Sequence, residues 1–166
     1  MESKQLEILK SAIILERRGH EFYSKLAEQA KDSDVKSFFD MMAKEEEAHI
    51  RYLSHQFQLI AKDKLMEAPM ESLSEDDQMA QKILTDKLIQ KLSAVSFEAT
   101  AIAAAIDFEN RAIQLYSQRS LTAETEEERS FYRWLADWER GHHKILHEID
   151  EQLKEKVWFD HSFWPF

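Results

Sequence analysis

The sequence contains no cysteine in 166 residues. That excludes disulfides, thiolate zinc sites, iron–sulfur clusters and cysteine nucleophiles, so any metal has to be held by oxygen and imidazole. Glycine and proline are nearly missing as well, with two of each. A chain so poor in helix-breakers is expected to form long helices with few turns. No stretch approaches the ~18 uninterrupted apolar residues of a membrane span. The first residues, MESKQLEILK, have neither the apolar core nor the cleavage site of a signal peptide. A cytoplasmic protein with no membrane partner is the expectation. Positive charge is in deficit, with a formal net charge of −10. This argues against a nucleic-acid partner and reads as a solvated, solubilising surface. What remains is a globular composition, 43% hydrophobic and 33% charged, long enough for one domain with a real core.

Apolar residues recur at intervals of three and four, the helical period. A first helix runs to about residue 31 through Leu6, Leu9, Ile13, Tyr23 and Ala27. Asp32 then reads as the N-cap of a second, over about 33–62, through Val35, Phe39, Met42, Leu53 and Ile60. Residues 63–92 are less regular, with Pro69 and a start signal for a short helix at Ser74. A third long helix is expected over about 93–121, through Val95, Ile102, Ile106, Ile113 and Tyr116. Thr125 with Glu128 reads as a capping box opening a fourth, which runs to about 157.

Shifted by 93 positions, the chain overlays itself. Residues 12–53 and 105–146 are identical at 13 of 42 places without a gap. Average composition would give about three by chance. The expected fold class is therefore all-α: a four-helix bundle with one long crossover, built from two repeated helical hairpins. It would occupy 1–157. An aromatic tail over 158–166 would cap the bundle or pack on a second subunit, making the protein a homodimer.

The repeat places charge where the apolar stripe should run. Glu16 and Glu109 interrupt the first and third long helices. Glu46 with His49, and Glu139 with His142, interrupt the second and fourth, each pair three residues apart and so on one face. An isolated Glu-x-x-His is usually a surface pair. Here both pairs fall at the same repeat position, each has a Glu 30 residues upstream, and all six residues lie on core-facing stripes. Four ionised carboxylates inside a bundle are untenable without counter-charge, and no Lys or Arg shares their positions. Two divalent cations cancel them. Four Glu and two His in this order form the ligand set of carboxylate-bridged di-iron or di-manganese bundles. The expected cofactors are two Fe ions, with Mn as the alternative, and the expected metal ligands are Glu16, Glu46, His49, Glu109, Glu139 and His142.

Tyr23 and Tyr116 lie two turns from Glu16 and Glu109 on the same faces. Two readings stand: catalytic residues that hydrogen-bond a ligand carboxylate or pass an electron, or core aromatics with satisfied hydroxyls. His20, one turn from Glu16, is either an extra ligand or proton relay, or a half-buried, satisfied histidine. His143 also follows Glu139 by one turn, but the repeat selects His142. Gly19 and Gly141, whose repeat mates are Ala112 and Ala48, read as places of close helix approach.

The stretches LERRGHEFY (15–23), AKEEEAHI (43–50), FENRAIQLY (108–116) and ADWERGHHKIL (136–146) resemble the rubrerythrin branch of the ferritin-like superfamily. The resemblance implies a ferritin-like fold and a di-iron site on the six residues above. It implies an oxidoreductase that reacts with H2O2 or O2. Typical rubrerythrins append a rubredoxin domain with four cysteines. None is present here, so electrons would come from an external donor. Rubrerythrins also carry a further Glu three residues from the shared one on the third helix, where this sequence has Ile106 and Ala112. The rival readings are iron binding, storage or delivery without turnover, and a binding or sensor module in which the metal is structural.

Overall fold

The computed structural model describes residues 4–67, 75–93 and 96–160. Five helices follow in order: α1 (Lys4–Gln29), α2 (Ser33–Ile60), α3 (Glu75–Lys91), α4 (Phe97–Thr122) and α5 (Glu126–Asp160). There is no strand among the described residues. α1 packs along α2 and α4 along α5, which gives the two expected hairpins. α3, from the crossover, lies against α2 and α5. None of these helices is long and apolar enough to cross a membrane.

Local chemistry sets the boundaries. Asp32 Oδ1 accepts the N–H groups of Asp34 at 2.8 Å and Val35 at 3.3 Å, which starts α2. Ser96 Oγ accepts Ala99 N–H at 3.1 Å. This cap fixes the start of α4 at Phe97, a few residues later than periodicity suggests. Thr125 Oγ accepts Glu128 N–H at 3.2 Å, half of the expected capping box. The other half is displaced: the Glu128 carboxylate takes the N–H of Glu124, one residue further back, and is also bound by Arg119 at 3.2 Å. The crossover helix is longer than the sequence suggested, at 17 residues, and it buries Leu88 and Ile89 in the core. Pro69, Ser74 and Val95 lie outside the described residues, as does the tail beyond Asp160. α5 carries the helix through Trp158 and Phe159, both exposed.

The buried line of α1 is Leu9, Ala12, Glu16, Gly19, Tyr23 and Leu26. That of α4 is Ile102, Ala105, Glu109, Ala112 and Tyr116. Each line is turned about one residue from the stripe of large side chains. Ile13, His20, Ile106 and Ile113 are half-buried beside it. Small residues on the line let α1 and α4 approach each other. An ideal Cβ on Gly19 would meet Phe108 Cε1 at 2.8 Å, so close approach does explain that glycine. It does not explain Gly141, where an added Cβ meets nothing within 4 Å.

The core forms two apolar clusters. One holds Tyr23, Phe38, Phe39, Met42, Ile102, Leu146 and Ile149, with Leu88 from α3. The other holds Leu9, Leu53, Tyr116, Phe131, Tyr132 and Leu135. On each long helix the residues between the two sets are Glu16, Glu46 and His49, Glu109, and Glu139 and His142. The charged layer is thus sealed above and below by hydrocarbon.

The two glycines should respond oppositely to alanine. Gly141→Ala is expected to stabilise the fold by roughly 0.5–1 kcal/mol, the helix-propensity difference at an open site. Gly19→Ala forces Phe108 to move and is expected to destabilise by about 1 kcal/mol or more. Chemical denaturation of both variants checks the pair.

Candidate metal centre

Four helices each deliver a carboxylate to one level of the bundle, and α2 and α5 add a histidine one turn on. Glu16, Glu46, His49, Glu109, Glu139 and His142 are all at most 1% exposed. Their ligand atoms form two groups, each drawn within 4.8 Å: Glu16, Glu46, His49 and Glu139, and Glu46, Glu109, Glu139 and His142. Glu46 and Glu139, the leading residues of the two Glu-x-x-His pairs, belong to both groups. The sequence did not indicate which carboxylates would be shared.

Both imidazoles turn Nδ1 inward. His49 Nδ1 lies 2.9 Å from Glu139, 3.1 Å from Glu16 and 3.6 Å from Glu46. His142 Nδ1 lies 3.3 Å from Glu139, 3.4 Å from Glu46 and 3.8 Å from Glu109. Both oxygens of Glu46, both of Glu139, Glu109 Oε2 and His142 Nδ1 are buried without an aligned hydrogen bond. In a folded interior such orphaned atoms are rare and ask for a partner. Glu128 shows the contrast. It is just as buried, but Arg119, Gln5 and the backbone N–H of Glu124 satisfy it. Hard oxygens with imidazole nitrogen, clustered and lacking hydrogen-bond partners, fit a divalent metal site.

The tyrosines are buried core aromatics with satisfied hydroxyls, and the satisfying groups are site carboxylates of the opposite hairpin. Tyr23 Oη donates to Glu109 at 2.5 Å, and Tyr116 Oη donates to Glu16. Burial first, and then the negative charge of Glu109 or Glu16, holds each phenol well above its ordinary pKa. Both therefore stay protonated donors. His20 is half-buried on α1 and belongs to neither ligand group. His143 stacks on His147, with ring centroids 6.0 Å apart, and also stands outside both groups.

Sequence reasoning missed Glu45. Its carboxylate accepts His142 Nε2 and, at 3.2 Å, Trp138 Nε1, and Gln81 of α3 reaches it at 3.4 Å. Burial opposes its charge, but the bonds to His142 and Trp138 outweigh burial and keep its pKa below the usual range. A signal existed. Glu45 and Trp138 are repeat mates that differ, one residue before the identical Glu46 and Glu139.

Burial and the charges of Glu139 and Glu46 hold the Glu16 carboxyl well above the usual range. Burial and Glu139 push Glu109 up to about 8. Glu46 falls to about 2, because its contacts with the two histidines and Glu16 outweigh burial and the charge of Glu139. Burial opposes ionisation of Glu139 as well, but the histidines hold it below the usual range. Burial likewise opposes charge on His49 and His142, and the surrounding carboxylates overcome it and raise both. In these directions the protein groups alone share four protons among the acids and imidazoles, with Glu16 and Glu109 the acids that favour protonation. Replacing those four protons by two divalent cations leaves the net charge of the site unchanged.

One family model, Rubrerythrin, matches residues 7–150. Comparison with curated proteins and with solved structures returned no match.

Proton and metal occupancy should be linked. Loading the protein with a divalent cation at about pH 7 is expected to release close to two protons per ion. Calorimetry in buffers of different ionisation enthalpy counts them. The raised carboxyls and histidines bind more protons folded than unfolded. Without metal, stability from this site should therefore fall as pH rises through the unfolded carboxyl and histidine values toward about 8. With metal bound that decline should be absent. The melting-temperature gap between the two forms should widen steadily from about pH 6 to about pH 9.

Proposed function

We propose that this chain, which belongs to the rubrerythrin family of ferritin-like di-iron proteins, holds two iron ions in its bundle and uses them to reduce peroxide or O2 with electrons from an external donor. The observation that carries the reading is the pair of sealed ligand groups with Glu46 and Glu139 in common. Bound iron would supply Lewis acidity and a one-electron couple at each ion.

The protein's own groups have separable parts in this reading. Glu46 and Glu139, common to both ligand groups, would help hold both ions. Glu16 and Glu109 would each serve one ion, with one oxygen steadied by Tyr116 or Tyr23. That bond would orient each carboxylate with its second oxygen available to the metal. Each phenol also keeps a proton at Oη beside a ligand oxygen, where reduction of an oxygen–oxygen bond consumes protons. The apolar clusters on both sides exclude bulk water from the layer.

Iron binding or delivery without turnover is the second reading. It is favoured by the half-buried Ile106 and the buried Ala112, which leave α4 with the single site carboxylate Glu109.

The deciding experiment adds one equivalent of H2O2 to anaerobic protein loaded with ferrous iron. Two ferrous ions give one electron each, and with two protons the peroxide becomes two waters. The expected result is stoichiometric oxidation, followed by re-reduction with a chemical donor and further rounds. Oxidation that is absent, or no faster than that of free ferrous ion, leaves the binding reading. Glu139→Ala, which removes a carboxylate common to both groups, is expected to cut iron capacity to one ion or fewer. The double variant Tyr23→Phe, Tyr116→Phe is expected to keep two ions but bind them about 10-fold more weakly and oxidise them more slowly. Iron analysis and stopped-flow absorbance read both.

A further inference from the structure

We infer that Glu45 makes the two halves of the centre unequal, so that the half built on His142 takes up a divalent cation ahead of the half built on His49. The inference rests on the two-metal reading above. It adds an order of filling and assigns that order to a residue outside the six ligands.

The pseudo-two-fold relation between the hairpins predicts equal halves, and at the inner faces they are equal. Each has one inward Nδ1, one carboxylate of its own and the shared Glu46 and Glu139. The difference lies behind the rings. His142 Nε2 is bonded to the carboxylate of Glu45. His49 Nε2 is buried without a hydrogen-bond partner, and the His49 ring meets the indole of Trp138 edge-on, with centroids 4.8 Å apart. One break in the repeat produces both effects. Where symmetry would give His49 its own carboxylate, position 138 holds tryptophan. That same indole donates to Glu45 at 3.2 Å and helps fix it against His142.

An imidazole whose outer N–H rests on a carboxylate is held in one tautomer, with the inner nitrogen free to bind metal. It is also a more electron-rich ligand, and the added negative charge attracts the cation further. His49 has none of these aids. Its ring is oriented by packing against Trp138 and Trp134. Glu45 can keep its charge because it is not sealed like the ligands. It lines a surface cavity of about 600 Å³ between α2, α3 and α5, together with Asp40, Lys44, Arg51 and Trp138. Losing a carboxylate behind a metal-bound histidine typically costs 10–100-fold in metal affinity, and the two halves should differ by about that factor.

The test titrates metal-depleted protein with Mn(II), which suits an oxygen-rich site, with equilibrium dialysis and electron paramagnetic resonance on the same samples. The first equivalent should give the spectrum of an isolated Mn(II) ion. Exchange-coupled pairs should appear only with the second, which binds about 10–100-fold more weakly. Glu45→Gln keeps the shape and an acceptor oxygen but removes the charge. It should weaken the first step by that factor and leave the second, so that loading approaches a statistical pattern. His49→Ala should retain the tight step, and His142→Ala should lose it. The inference is overturned if native protein binds two ions with coupled pairs already present at the statistical level after the first equivalent, an outcome that does not depend on any variant folding. It is equally overturned if Glu45→Gln leaves the ratio of the two steps intact. Total uptake below two ions would instead overturn the two-metal reading itself.

Discussion

Everything in this bundle is arranged around a charge balance that hydrocarbon enforces. Two unit charges about 4 Å apart interact by about 4 kcal/mol even at an effective dielectric of about 20. Water that would screen them is kept out by an apolar cluster on each side. Four carboxylates at this depth cannot all be ionised beside one another without cations. The protein has only two imidazoles at the layer, so two of the acids keep their protons unless metal replaces them. The constraint lets a metal, where one binds, replace protons at equal charge. It also explains why burial is compatible with loading: the charge the interior has to tolerate is the same in both conditions.

The duplication supplies the geometry for that exchange and then departs from symmetry at one place. Tyr23 secures the carboxylate of the second hairpin and Tyr116 that of the first. The two halves are thereby strapped to each other at the level of the candidate ligands, and neither hairpin completes the site alone. Each ligand group needs acids from both hairpins, because Glu46 and Glu139 are common to both. Against this reciprocity stands the Glu45–Trp138 exchange, in which repeat mates touch each other across the axis with different chemistry. A symmetric scaffold with one asymmetric pair can hold two similar ions in dissimilar settings.

Much of this was readable from residue order. The 3–4 periodicity, the scarcity of glycine and the capping residues Asp32 and Thr125 marked the long helices. The overlay of residues 12–53 on 105–146 paired them as hairpins. The six inward polar residues were legible because each breaks an apolar stripe at a repeated position. What was not legible depends on three-dimensional neighbours. The true buried lines of α1 and α4 run through Ala12, Gly19, Ala105 and Ala112 and not through the larger Ile13, His20 and Ile106, because the spacing of the helices decides the matter and hydropathy does not report it. The partners of Tyr23 and Tyr116 are 86 and 100 residues away in sequence. Glu45 was hidden in a run of three acids, two of which look like ordinary surface charge. Its one mark in the sequence is the mismatch with its repeat mate Trp138, and contact with His142 gives that mismatch its meaning.

Glu45 and Glu128 are both acids inside the bundle, held in different ways. Glu128 has an arginine, a glutamine and one backbone donor, and these satisfy its carboxylate beside the α4–α5 turn. Glu45 is held by donors whose other ends matter elsewhere: an imidazole whose inner nitrogen faces the ligand carboxylates, and an indole whose ring contacts His49. Charge placed at Glu45 is therefore felt by both histidines with different strength, directly by His142 and through a ring by His49. Burial alone does not mark function in this fold. What sets Glu45 apart is a half-buried charge whose hydrogen-bond donors also face the candidate ligands.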